Sequence, residues 1–312
     1  MTYSQKKKLT KTLLFFIASL AMAAFSYSQL QAQGFYLRAG GGYSFQSAKT
    51  EFNNADPNEL TGIRQSTEVT VSADGSTTTV KSLSGSLGAG FKGNITGGYM
   101  FNPYIGAELG INYFHGDETV IGKLSSPVMN SEEVAYIRGV DLSPAIIVTP
   151  GFEGINPYAR VGLLVTAAGN LTIETSADIV NGGGPGTDIA LRAESEVTAK
   201  FSVGYVGAVG VLFPINDRVS IFGEAEFKSF TIKSEEAEIK SFTTTAISDG
   251  QSVLVPGEQL EDMPVSEKKF IFKDDYTISN TSPQPEDQPT VIPSQEVNAS
   301  GAGINIGIRI GF

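Results

Sequence analysis

The 312-residue chain has no cysteine, no tryptophan and one histidine, His115. Without cysteine there is no disulfide framework, no thiolate zinc site and no cysteine nucleophile. A single imidazole leaves almost nothing for histidine metal sites or serine–histidine catalysis. Positive charge is scarce as well: 22 Lys and Arg face 33 Asp and Glu, a formal charge of −11. Four of those lysines lie in the first 32 residues, which hold no acid, so the remainder sets 18 bases against 33 acids, a net −15. Nucleic-acid surfaces need clustered Lys and Arg, so no nucleic-acid partner is expected. Nothing after the first 32 residues offers about 18 consecutive apolar residues, so no helical membrane span is expected either.

The amino-terminal segment reads as an address. Lys6, Lys7, Lys8 and Lys11 precede an apolar stretch from Leu13 to Phe25 and small residues toward Ala32. A basic n-region, a short apolar core and a small-residue cleavage site define a secretory signal peptide. Its apolar core falls short of the roughly 20 residues of a spanning helix. The expected division is a signal peptide at 1–32, cut after Ser28 or Ala32, and a single barrel domain at 33–312. With no cysteine after the apolar core, a lipoprotein anchor is not expected.

The rest of the chain alternates. In GAGINIGIRIGF the apolar residues Ala302, Ile304, Ile306, Ile308, Ile310 and Phe312 fall on even positions, with Gly303, Asn305, Gly307, Arg309 and Gly311 between them. Successive side chains of a strand point to opposite faces, so one face is apolar and the other small or polar. The same alternation marks seven earlier segments, 34–45, 87–101, 105–115, 136–148, 158–167, 197–213 and 219–231. The fourth is the weakest, because Pro144 interrupts it and Ile147 falls on the polar side. Segments of about 10 residues suit a tilted strand crossing a bilayer.

The connections between segments have roughly 41, 3, 20, 8, 25, 4 and 66 residues, long and short in strict turn. This predicts an all-β fold, an eight-stranded antiparallel transmembrane β-barrel with long extracellular loops and short periplasmic turns. Asn102-Pro103-Tyr104 and Asn156-Pro157-Tyr158 recur at the expected starts of strands three and five, where proline does no harm.

The GFYLRAGGGYSF opening, the FNPYIGAELGINYF and INPYARVGLLV units and the GINIGIRIGF ending resemble the OmpA-like, porin-like outer-membrane β-barrel family of Gram-negative bacteria, in a Bacteroidetes style. The resemblance implies a cell-envelope protein of the outer membrane, in contact with its lipid. The terminal Phe312, with Ile310 and Ile308, resembles the signal read by the barrel-assembly machinery, which becomes an implied partner. A monomer is expected. The pattern departs from the family in two ways. No peptidoglycan-binding domain follows Phe312, so no cell-wall tether is expected, and Phe and Tyr must fill the interfacial belts without tryptophan.

Parity places Arg38, Lys92, Glu108, Asp141, Arg160, Lys200, Glu224, Glu226, Lys228 and Arg309 in the lumen. Buried charges need partners or water, and an eight-stranded interior is just wide enough for side chains to fill. The expectation is a plug of salt bridges, with a narrow polar pore as its rival. Inward glycines leave room for either.

Other chemistry is thin. Gly88, Gly90 and Gly93 have the spacing of a dinucleotide fingerprint but lie inside an alternating strand, with no helix to follow. His115, with Asp117 and Glu118, sits at the outer rim, where related barrels place a catalytic base, yet no positioned serine accompanies it. The segment 233–298 carries 13 acids against 5 bases and ends among Pro283, Pro285, Pro289 and Pro293, so a solvated flexible loop is expected. No calcium-loop spacing appears in it. Lys268 to Ser279 with Lys240 to Ser248 suggests a hairpin, or a ten-stranded variant. The expected function is non-enzymatic, without metal or cofactor, serving envelope integrity or a surface interaction. The alternatives are a narrow porin-like channel and, behind it, a rim enzyme using His115.

Overall fold

The computed structural model describes residues 34–52, 66–277 and 285–312. The expected signal peptide lies outside the described residues. Among those described, eight strands close a barrel: β1 (Gly34–Gln46), β2 (Gly90–Met100), β3 (Ile105–Gly116), β4 (Met129–Val148), β5 (Asn156–Ile179), β6 (Val203–Pro214), β7 (Val219–Ser229) and β8 (Gly301–Gly311). Each pairs antiparallel with the next, and β8 returns to β1 with Ile308 opposite Ala39. Closure removes every sheet edge, so all backbone groups of the spanning part pair within the wall. Among the described residues the ten-stranded variant does not form.

The outward face is apolar. Leu37, Ile95, Leu109, Ile111, Val161, Val209, Ile221 and Ile304 are all exposed on it. Aromatic residues gather at its two margins. Phe35, Tyr99 and Phe101 stack at one end, with centroids 4.7 and 5.6 Å apart, and Tyr43 meets Phe45 and Phe91 at the other, at 4.9 and 5.0 Å. Such girdles mark the interfaces of a membrane barrel.

One end of the barrel carries only short turns. Asn102 Oδ1 accepts the backbone N–H of Tyr104 and Ile105, and Asn216 Oδ1 those of Arg218 and Val219, both closing Asx turns. Asn156, despite its matching Asn-Pro-Tyr, plays a different part. Its Oδ1 accepts from Phe152 N and Thr149 Oγ1, bracing the turn from behind as the first residue of β5.

At the loop end five strands continue upward. A bilayer crossing takes about 9–11 residues, yet β4 has 20 and β5 has 24. Thr119–Ser125 prolongs β3, Thr187–Ala199 leads down into β6, and Thr231–Ser248 prolongs β7. These make a tall wall on one side, while β8, β1 and β2 stop near the rim. The sixth segment, expected unbroken from Val197 to Phe213, is interrupted at 200–202. Register is kept across the break: Thr198 faces Asn170 and Val203 faces Val165.

The acidic segment 233–298 is therefore no loose loop over its described residues. Thr231–Ser248 pairs with Thr187–Ala199, with Gln251–Gln259 and with Lys269–Lys273, and the last runs parallel to Thr290–Pro293. Its composition signalled solvent exposure, and that misled. A wall with one wet face tolerates acids on alternate positions without losing its ladder.

Candidate functional site: the lumen

Three layers fill the barrel. Nearest the turns, Tyr36, Met100, Ile147, Tyr158, Leu212 and Phe222 form an apolar floor. Ile147, which broke the alternation, is 1% exposed in this floor, and Ala145 is buried beside it. Both lie past Pro144 on the inward parity, so the apparent fault in the fourth segment is a lumenal contact. Inward glycines make room for the rings. A methyl group on Gly98 would come 2.1 Å from Tyr36 Cζ, on Gly210 2.5 Å from Tyr158 Cζ, and on Gly40 2.7 Å from Phe222 Cζ. The space the glycines leave is thus occupied by aromatic side chains.

Above the floor lies an ionic layer. Arg38 Nη1 donates to Glu108 Oε1 at 3.0 Å and Nη2 to Glu224 Oε2 at 2.8 Å. Arg160 Nη2 bridges Glu224 Oε1 and Glu226 Oε2, both at 2.7 Å. Lys92 pairs with Glu226. Three residues outside the expected set complete the layer. The Tyr36 hydroxyl donates to Glu108 at 2.8 Å, the Tyr158 hydroxyl to Glu224 at 2.8 Å, and Asn305 Nδ2 to Glu224 at 2.9 Å. All three are on the inward parity, and a search restricted to charged residues passes over them. Arg38 also lies 4.1 Å from the centroid of the Phe222 ring, so ionic layer and floor interlock.

The other expected residues are placed as follows. Asp141 accepts from Asn112 Nδ2 at 2.6 Å. The Lys228 ammonium lies 3.6 Å from the centroid of the Phe114 ring, and the Arg309 guanidinium 3.8 Å from that of Tyr36, toward the turn end. Lys200 is a correction. It falls in the 200–202 break and donates to the Phe272 carbonyl and Ser294 Oγ of the wall, outside the lumenal network. Its parity was read through a strand that is interrupted there.

Over the ions a second apolar layer closes the loop end, with Leu87, Phe114, Ile137, Leu164, Val206, Phe230 and Ala299 at its core. Between the two, beside Lys92, Asp141 and Glu226, remains a cavity of about 20 Å³, room for about one water. Phe230 stands at the break between β7 and Thr231–Ser248, which turns its buried ring into this layer.

His115 is exposed on the outward parity of β3, opposite Phe91 and Arg138. Asp117 accepts the Tyr43 hydroxyl. Among the described residues no cluster of three His, Asp or Glu is arranged to hold a metal ion. Gly88 and Gly90 lie at and before the start of β2, with no helix following.

A closed barrel with an apolar outer face and a sealed ionic interior matches a recognised architecture. The model of the outer membrane protein beta-barrel domain covers residues 14–250. The chain belongs to this family. As a member it is a transmembrane β-barrel of the outer membrane. Among solved structures it is similar to Neisserial surface protein A (NspA), at 11% identity and a TM-score of 0.36 over 90% of this chain and 100% of that one. It is also similar to the E. coli outer membrane protein W, at 14% identity and a TM-score of 0.30 over 91% and 100%. A 90-residue stretch is 33% identical to an uncharacterized protein of Coxiella burnetii (strain RSA 493 / Nine Mile phase I), covering 29% of this chain. The chain spans only 30% of that relative's length.

Proposed function

We propose that this barrel is a plugged, non-enzymatic structural element of the outer membrane, serving envelope integrity and presenting its tall wall outward as an interaction surface. The observation that carries the reading is the stack of layers: an ion network held between two apolar layers leaves no continuous aqueous path among the described residues. A porin needs a lumen lined by water, whereas here rings of Tyr36, Tyr158 and Phe222 fill the narrow end. The exposed, outward-facing His115 gives a rim enzyme no enclosed site.

On this reading the loop end is extracellular and the turn end periplasmic, residues 1–32 are removed on export, and the barrel is a monomer. Phe312, Ile310 and Ile308 lie on the lipid-facing parity, all exposed, and serve as the assembly signal. The OmpA-like, porin-like and Bacteroidetes-style features of the sequence accord with this placement. The rival channel is tested directly. Purified, leader-free protein in planar bilayers is expected to give no discrete conductance steps, and reproducible single-channel openings would overturn the plugged reading.

A further inference from the structure

We propose that the outer face of the barrel, at its loop-end rim, holds one anionic lipid by its phosphate group, on a row of donors formed by His115, Arg138 and Asn170. The row follows from register. His115 of β3 lies directly opposite Arg138 of β4, and Arg138 directly opposite Asn170 of β5. Facing residues of neighbouring strands have Cβ atoms about 4.5–5.5 Å apart, so imidazole, guanidinium and amide stand side by side. His115 and Arg138 are exposed, and Asn170 is half-buried on the same parity.

The height of the row matches a lipid head group. A bilayer crossing takes about 9–11 residues, and β3 runs from Ile105 to Gly116 with His115 as its last residue but one. His115 also faces Phe91, which in turn faces Tyr43 of the aromatic girdle. One rung therefore passes from aromatic rings on β1 and β2 to polar donors on β3, β4 and β5, at the level of the membrane interface. Beneath it the facing pairs Tyr113–Val140, Ile111–Leu142 and Leu109–Pro144 form an apolar lane on the lipid side. From the turn end up to this rung, Arg138 is the one fixed charge on the lipid-facing parity of the eight strands.

The donors of the row are not consumed within the protein. Among the described residues Arg138 forms no ion pair, and the side chains of His115 and Asn170 form no hydrogen bond. Asp117 and Glu174, acids near the row, accept the hydroxyls of Tyr43 and Tyr136 instead. The Arg138 guanidinium lies 4.6 Å from the centroid of the Tyr136 ring, a cation–π contact that spends none of its N–H groups on an acceptor. A guanidinium fork matches two phosphate oxygens at once, and the flanking imidazole and amide N–H groups can reach the others. A dissolved anion would answer the donors alone. A lipid answers both parts, with its phosphate on the row and an acyl chain down the lane.

The test places the full-length, leader-free barrel in nanodiscs of phosphatidylcholine containing a small fraction of lipid A, releases it into detergent and counts retained lipids by native mass spectrometry. One lipid A per barrel is expected, held in preference to phosphatidylcholine, whose head group brings its own cation. Arg138→Gln should weaken retention by about tenfold or more, as befits loss of charge-assisted bonds, and His115→Ala and Asn170→Ala by a few fold each. Arg192→Gln, which removes a charge of the wall higher up, should leave retention unchanged. Excess inorganic phosphate should not displace the lipid, and displacement would show a site for free phosphate and overturn the proposal. Equal retention of the two lipids, or indifference to Arg138→Gln, would overturn it as well. If Arg138→Gln loses heat-modifiable migration, the lipid preference of the wild-type barrel and the His115 and Asn170 variants decide. None of these outcomes depends on the conductance result or on which leaflet the loop end faces.

Discussion

Arg38 Nη2 lies 2.8 Å from Glu224 Oε2, joining β1 to β7 inside the lumen past β8, which stands between the two strands. Glu224 also accepts from Tyr158, Arg160 and Asn305, so one carboxylate collects donors from β1, β5 and β8. This makes Glu224 the hub of the plug.

Glu224→Gln should therefore leave Arg38 and Arg160 underpaired in a closed interior. Breaking a buried pair from one side costs about 3–5 kcal/mol. The unfolding temperature read from heat-modifiable gel migration should fall clearly, with no conductance gained. A stability equal to wild type together with new conductance would mean a hydrated lumen.

Gly98 and Gly97 give a matched pair on β2. A side chain on Gly98 collides with Tyr36, whereas nothing lies within 4 Å of a methyl group on Gly97. Gly98→Ala should cost about 1–3 kcal/mol by overpacking, and Gly97→Ala should change stability little. Both are read by thermal unfolding in detergent.

On the lipid face, Ile308→Arg should cost about 2–4 kcal/mol, most if the position is near mid-membrane. Equilibrium unfolding into denaturant from vesicles measures it. Removing Phe312 should lower the assembled fraction while export proceeds, as seen by comparing outer-membrane and periplasmic pools. Unchanged outer-membrane levels would show that the terminal aromatic is dispensable.

Asp74 offers a pH test away from the membrane. It caps the hairpin of Thr67–Val71 and Thr78–Ser82, accepting from Ser72 Oγ, Ser76 N and Ser76 Oγ. Hydrogen bonds from Ser72 first, then Ser76, lower its pKa to about 2. A depressed carboxyl supports the turn above its ordinary value of about 3.9, and that support fades as pH falls through about 2. Amide exchange at Ser76 should stay slow down to about pH 3, and should quicken at neutral pH in Asp74→Asn.

Much of the barrel was legible because a strand buried on one side and lipid-facing on the other writes its orientation into every second residue. Ile308 and Arg309 declare opposite faces by themselves. The lumenal aromatics were less legible, since Tyr36 and Tyr158 count as apolar or polar according to where the ring and hydroxyl end up. Ile147 read as an error because alternation has no symbol for an apolar floor inside a polar lumen. The wall was hidden for a different reason. Its acidic strands, such as Thr231–Ser248, resemble loops in composition, and only their pairing with Thr187–Ala199 makes them sheet. Lys200 could not be placed because a break at 200–202 leaves alternation intact on both sides of it.

The unequal height of the strands gives the molecule a front and a back. Five strands rise past the rim and three stop at it, so the barrel is a screen on one side and a low sill on the other. Rotation about the membrane normal therefore changes what a neighbour meets. A molecule approaching over β4 and β5 is met by sheet well before the rim, whereas over β8, β1 and β2 the barrel strands themselves end near it. Any contact made above the membrane would consequently depend on which side of the barrel is presented.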